Sequence, residues 1–198
     1  MAALDRLSER LLVAARPLRV GVADAAPERQ AAYRLRGRHV IDAGWAGAEE
    51  LPEGLERDAH DDDAVHICAR NARTLVGTAR LVLPVAGRRL PVEAAFDLDI
   101  EPRGAVVEVG RLVIATSYRG DPAHRAWGAL FAFAWLSIRE RGFTVMAGAA
   151  SAHMVDKLQA LGLPFETLAP ARPYWGEERH PVRLDPSRAV PSWFNVAP

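Results

Sequence analysis

Residues 106–114, VVEVGRLVI, are apolar apart from Gly110 and two charges, Glu108 and Arg111, set three positions apart. A run so apolar reads as a strand buried on both faces, and charges inside such a strand need partners. The run is therefore expected at the middle of a sheet, with its neighbours supplying both the sheet and the partners. In regular strand geometry positions 108 and 111 point to opposite faces. A single bulge between them, for which Gly110 is a suitable residue, would bring both side chains to one side.

The flanking segments supply strands and helices in turn. AVHICARN (64–71) and TLVGTARLVLP (74–84) alternate like a hairpin around residue 72. After the central run, Asp121 and Pro122 read as an N-cap and a first helical residue. Trp127, Leu130, Phe131, Ala134, Trp135 and Ile138 then share one helical face until Gly142. FTVMAGAA (143–150) reads as a buried strand, AHMVDKLQALGL (152–163) as a helix closed by Gly162, and PFETLA (164–169) and HPVRLD (180–185) as two last strands. Upstream, LRVGVAD (18–24) is a short strand, and 27–40 is a helix opening on Pro27 with Ala31, Tyr33 and Leu35 inward. Leu4, Leu7, Leu11 and Leu12 mark an extra helix over 3–16, ended by Pro17. Two polar stretches, 42–63 and 86–104, are expected as loops, the first long enough to suggest a function. This order predicts an α/β fold with a mixed sheet in a single domain, 1–198, with 1–17 as an added helix and 186–198 as an irregular tail.

Bulk properties exclude some functions. Lys and Arg balance Asp and Glu at 25 each, so no net field draws the molecule to nucleic acid or membrane. The single cysteine, Cys68, rules out an internal disulfide and suits a reducing cytoplasm, and the charge-punctuated start predicts neither a signal peptide nor a membrane span. His60, Asp62 and His66 lack a compact ligand spacing, so no metal is expected. His66 and Cys68 share a strand face, but a buried apolar cysteine is a simpler reading than a thiol nucleophile.

The element order, with the YRG turn (118–120) before the long helix, resembles the GNAT-type N-acyltransferase fold: a mixed, mostly antiparallel sheet with a splayed middle strand, flanked by helices. Within it, the residues resemble acyl-homoserine-lactone (autoinducer) synthases. The counterparts are Arg34 or Arg36, Trp45, Asp58 and Asp61, Arg80 in GTARL, and Glu108 with Arg111 in EVGRL. N-acyl amino acid synthases share the strand signature, and YRG is closer to them. Gly110 stands where the autoinducer enzymes usually have Ser, Leu112 where they have Phe, and RGDPAH keeps only Arg119 and Gly120 of the coenzyme A loop.

The resemblance implies an acyltransferase that moves an acyl group from a carrier-protein or coenzyme A thioester to a small amine. The first-choice acceptor is S-adenosylmethionine, giving an acyl-homoserine lactone. The alternatives are a free amino acid acceptor and a non-catalytic acyl- or carrier-binding module. It implies no permanently bound cofactor, and Asp121 beside Arg119 tilts the donor toward acyl carrier protein. Glu108, held ionised by neighbouring guanidinium groups, would take the amine proton; Arg80 or Arg111 would fork the acceptor carboxylate. Asp58 and Asp61 would hold the ammonium or anchor their loop, and Trp45 with Arg34 or Arg36 would contact the acceptor. Amides near Val113 would polarise the thioester carbonyl. Arg119, Gly120 and Arg125 would meet the donor phosphate, and Phe131, Trp135, Met146, Ala147 and Met154 would line the acyl slot. Each residue also has a plainer reading: a core ion pair for Glu108 and Arg111, loop packing for Trp45, and core for the aromatic stripe.

Overall fold

The apolar run becomes the fourth strand of an eight-strand sheet in a computed structural model that describes residues 1–118, 120–160, 163 and 165–188. In chain order the elements are α1 (Ala2–Ala14), β1 (Arg19–Val22), α2 (Ala26–Asp42), β2 (Val65–Asn71), β3 (Thr74–Val82), α3 (Pro91–Phe96) and β4 (Val106–Ile114). There follow α4 (Asp121–Glu140), β5 (Val145–Ala150), α5 (Ala152–Ala160), β6 (Phe165–Thr167), β7 (Arg172–Tyr174) and β8 (Glu177–Leu184). The sheet runs β1-β2-β3-β4-β5-β8-β6, with β7 paired to β8. Every pairing is antiparallel except β4 with β5.

The expected α/β class and sheet are found, with several local differences. Two elements lie in stretches expected to be irregular. Pro91–Phe96 forms α3, begun by a proline in its first turn and by Glu93, whose Oε2 accepts the Leu90 amide at 2.8 Å. Arg172–Tyr174 pairs with β8, whose start at Glu177 lies three residues before His180. Six residues are too few to show helical periodicity and three too few to show alternation. The loop 42–63 holds two 3-10 turns, Ala48–Glu50 and Pro52–Gly54. At α4 the N-cap position is Gly120, one residue before the expected Asp121, because its φ of 70° turns the chain into the helix. The expected close of α5 at Gly162, and the tail beyond Arg188, lie outside the described residues. Among the described residues no helix is long and apolar enough to cross a membrane.

Helices cover both faces. On one, α1, α4 and α5 enclose Leu81, Val107, Met146 and Val182 with Leu4, Leu130, Trp135, Ile138 and Leu158. Each such large side chain contributes about 1.5–3 kcal/mol by burial. On the other, α3 covers Val82, Val106, Val145 and Ala147, and α2 packs Ala32 near Cys68.

The middle strand carries the two irregularities that matter. Thr78 pairs with Val113 but Arg80 with Gly110, so two steps on β3 span three on β4. The extra residue falls at Arg111–Leu112, with Arg111 at φ 51°. The bulge was expected at Gly110; instead Gly110 keeps its place opposite Arg80, and Arg111 takes the left-handed backbone, a strain of about 1–3 kcal/mol. On its other edge, β4 pairs with β5 only over Val106–Glu108 against Val145–Ala147, and beyond that the strands part. Gly148 stands at the parting: a Cβ there would lie 2.6 Å from the Val109 carbonyl oxygen, so only glycine lets the strands run this close before they diverge.

Candidate active site

The parting of β4 and β5 leaves a cleft of ≈ 240 Å³. Phe131 of α4, Met146 of β5 and Met154 and Leu158 of α5 line one end, on the face packed by α4 and α5. Trp45, Trp175, Glu177 and Arg179 line the other, and Gly110 and Arg111 of β4 border it. Four of the five expected acyl-slot residues, Phe131, Met146, Ala147 and Met154, are brought together here. Trp135 is not. It is fully buried beneath α1, where its Nε1 donates to Asp5 at 2.7 Å, so the indole is committed to helix packing.

Beside the cleft lies a charge cluster of three guanidinium groups and three carboxylates. Arg36 donates from Nη1 and Nη2 to Asp61 at 2.7 and 3.0 Å, and from Nε to Glu56. Arg80 Nη1 reaches Asp58 at 2.7 Å and Asp61 at 3.1 Å. Arg111 reaches Glu56 through Nε and Asp58 through Nη2, both at 2.9 Å. Burial opposes the charge on Asp61, but the Arg36 fork and Arg80 outweigh it and hold the carboxyl well below its usual range. Asp58 is lowered in the same way, with Arg80 and Arg111 overriding burial.

The expected fork onto an acceptor carboxylate is not open at Arg111, whose Nε and Nη2 hold Glu56 and Asp58, while Arg80 gives only its Nη1 to Asp58 and Asp61. Of the two roles expected for Asp58 and Asp61, the geometry favours anchoring the loop. Arg36 joins the cluster, whereas Arg34, two residues earlier on α2, is exposed. A helix turns about 200° in two residues, so only one of the pair could face inward.

Glu108 stands apart from the cluster. Its side chain is 2% exposed and its Oε2 accepts the Val92 amide of α3 at 2.7 Å. Burial pushes its pKa up to about 7, which the Val92 amide and the more distant Arg80 and Arg111 oppose without reversing. Glu108 was expected to be held ionised; burial instead outweighs the pull of Arg80 and Arg111, whose hydrogen bonds go to other carboxylates. Its second oxygen, Oε1, lies 3.4 Å from where a Cβ on residue 110 would stand, so the bare backbone of Gly110 separates the carboxyl from the cleft.

The remaining expected positions place as follows. Val113 is buried in β4 opposite Thr78, next to the bulge. Gly120 and Arg125 are exposed at the N-terminus of α4, and Arg119 lies outside the described residues. Cys68 is buried with its thiol pKa raised by that burial, and His66 Nε2 is instead 3.0 Å from the Asp61 carbonyl and 3.1 Å from the Tyr33 hydroxyl.

Sequence reasoning missed Glu56, Trp175 and Arg179. Trp45 sits edge-on to Trp175, with centroids 5.1 Å apart, and a Cβ on Gly176 would come within 2.1 Å of the Trp45 ring. Gly176, at φ 84°, thus makes the β7–β8 turn and admits the indole. The signal was YWGEER (174–179), a Gly turn between short polar strands.

Residues 35–127 match the acetyltransferase (GNAT) domain family. Among solved structures the fold is similar to that of the AHL synthase LasI, at 14% identity over 90% of this chain and 93% of that one, with a TM-score of 0.69. It is similar to TofI, solved in a ternary complex with an inhibitor and MTA, at 26% identity over 91% and 97%, TM-score 0.64. It is also similar to FeeM, an N-acyl amino acid synthase from uncultured soil microbes, at 17% identity over 89% and 92%, TM-score 0.65. No curated protein sequence matches significantly.

Proposed function

We propose that this GNAT-fold acyltransferase, of the type built by acyl-homoserine-lactone and N-acyl amino acid synthases, moves an acyl group from a thioester to the α-amine of a small amino-acid-like acceptor. The observation that carries the reading is the placement of a buried carboxyl, its pKa near 7, behind Gly110 at the edge of a cleft whose other end is apolar.

The acyl chain lies against Phe131, Met146 and Met154, a dry slot in which each buried methylene contributes about 0.8 kcal/mol. The acceptor arrives as an ammonium and loses one proton through a water to Glu108. The free amine attacks the thioester carbonyl, a C–N bond forms, the C–S bond breaks, and the departing thiolate takes up a proton. Amides released by the bulge near Val113 polarise the carbonyl. A general base of this kind is worth about 10²- to 10⁴-fold in rate, most effectively when its pKa is near the working pH. Gly120 and Arg125 meet the donor phosphate at the start of α4, a role that Arg119 shares by the sequence resemblance alone. Arg36, Arg80 and Arg111 with Glu56, Asp58 and Asp61 hold the 42–63 loop, and with it Trp45, against the cleft.

S-adenosylmethionine is the first-choice acceptor, supported by the ordered positions Trp45, Asp58, Asp61, Arg80, Glu108 and Arg111 and by the MTA bound in TofI. A free amino acid is the second, supported by Gly110 and the likeness to FeeM. Acyl carrier protein is the favoured donor, since the sequence RGDPAH adds the negative charge of Asp121 where a coenzyme A loop would draw a pyrophosphate, and a cytoplasmic setting suits both the donor and the free Cys68. The test is incubation with acyl carrier protein and coenzyme A thioesters, each with S-adenosylmethionine or free amino acids, followed by mass spectrometry. Methylthioadenosine release with an acyl lactone supports the first acceptor, and an N-acyl amino acid the second. Donor binding with no amide in any combination overturns the reaction in favour of a binding module.

A further inference from the structure

Among the described residues four guanidinium groups stand near the cleft, and three of them share carboxylates, although Arg80, which does not line the cleft, leaves its Nε and Nη2 unmet. Arg36, Arg80 and Arg111 each contact two of Glu56, Asp58 and Asp61. The fourth, Arg179 of β8, contacts one carboxylate, Glu177, at 2.7 Å, and that glutamate is 42% exposed. Arg179 itself is only 15% exposed. Its Nη1 reaches the Ala149 carbonyl at a long 3.4 Å, and its Nε is buried with no hydrogen-bond partner among the described residues. Leaving such a donor unmet is costly, and a ligand that meets it recovers that cost. The group is nevertheless fixed in place, 5.6 Å from the centroid of Trp45 and 5.4 Å from that of Trp175. Burial lowers its pKa, Glu177 and Tyr174 oppose that without reversing it and Arg111 adds to it, whereas Arg36 and Arg80 are raised by their carboxylates against burial. Arg179 is a cation short of negative charge, and it lines the cleft at the end away from Phe131 and Met154.

The geometry points to Arg179 as the residue that binds the α-carboxylate of the acceptor, with Trp45 and Trp175 as its flat support. The assignment rests on the acyl-transfer reading, which needs an acceptor at this end of the cleft. S-adenosylmethionine and a free amino acid share the α-ammonium and α-carboxylate, so the same clamp serves either. A carboxylate here gives Arg179 the two negative neighbours that each of the other three already has, and it meets the unpaired Nε in a forked geometry.

The test follows intrinsic tryptophan fluorescence of the whole protein, since two indoles flank the site. Titrations use S-adenosylmethionine and its decarboxylated form, and separately free amino acids and their carboxamides, on wild type, Arg179→Gln and Arg179→Lys. Wild type is expected to prefer the carboxylate form about 10- to 100-fold, the scale of one charge-assisted pair. Arg179→Gln should lose that preference while acyl-donor binding stays unchanged, and Arg179→Lys should retain part of it. In turnover, the acceptor KM should rise with little change in the donor KM. An undiminished carboxylate preference in both folded variants overturns the assignment, as does weakened donor binding with intact acceptor binding, which would make Arg179 a donor-phosphate contact. If wild type shows the Arg179-dependent preference but forms no amide with any pair, the clamp stands and the proposed reaction falls.

Discussion

Glu108 and Val92 are joined by a hydrogen bond of 2.7 Å from the amide of α3 to the carboxyl of β4, which fixes one oxygen of a buried acid and leaves the other directed toward Gly110. Turnover should therefore follow the ionisation of Glu108, rising with pH through about 7. Glu108→Gln should lower kcat by about 10²- to 10⁴-fold with donor binding intact. An unchanged pH–rate profile in the Gln variant would remove Glu108 from the reaction.

The same acid leaves a mark on stability. Its folded pKa is raised above the ordinary 4.5, so the contribution of the protonated form is complete below about 4.5 and is lost as pH rises through about 7. Thermal unfolding of wild type should lose ground across that window relative to Glu108→Gln, as a difference in Tm that grows with pH.

Asp61 has the opposite sign. Its folded pKa lies below the ordinary 3.8, so its contribution is complete above about 4 and is lost as pH falls below that. Asp61→Asn leaves Arg36 and Arg80 short of a buried carboxylate, at a cost of about 3–5 kcal/mol. Its Tm should fall by several degrees at neutral pH and respond less to acid than wild type.

Met154 and Trp135 separate the acyl slot from the core. Met154→Phe should shorten the preferred acyl chain, because a filled pocket discriminates one methylene by about 10- to 200-fold. Trp135→Phe should leave chain preference unchanged and lower the Tm through the lost bond to Asp5. Competition between acyl donors of graded length, read by mass spectrometry, tests both.

Gly148 and Gly110 differ in what a methyl group would meet. Gly148→Ala drives a Cβ to 2.6 Å from the Val109 carbonyl and should cost about 1–3 kcal/mol by forcing β4 and β5 apart. Gly110→Ser approaches only Glu108 Oε1, at 3.4 Å, and should fold normally. Denaturant titration of the two variants measures the difference.

What was legible in the chain followed from long periodic patterns. The three-strand run 64–114, the apolar face of α4 and the strand at 143–150 were readable because burial imposes a period on many residues at once. The charges in EVGRL and GTARL were conspicuous for the same reason, since apolar strands seldom carry them. Their pairing was not legible. Whether Arg111 meets Glu108 or Glu56 depends on how the 42–63 loop folds back, and no local pattern encodes a contact between residues 55 positions apart. Trp175 and Arg179 were missed because strands of three residues, and a turn made by one glycine, leave no periodic trace.

The cleft left by the parting of β4 and β5 runs between Met154 and Trp175. If the proposed donor and acceptor occupy these two ends together, neither must depart before the other is seated. Double-reciprocal rate plots should therefore converge rather than run parallel.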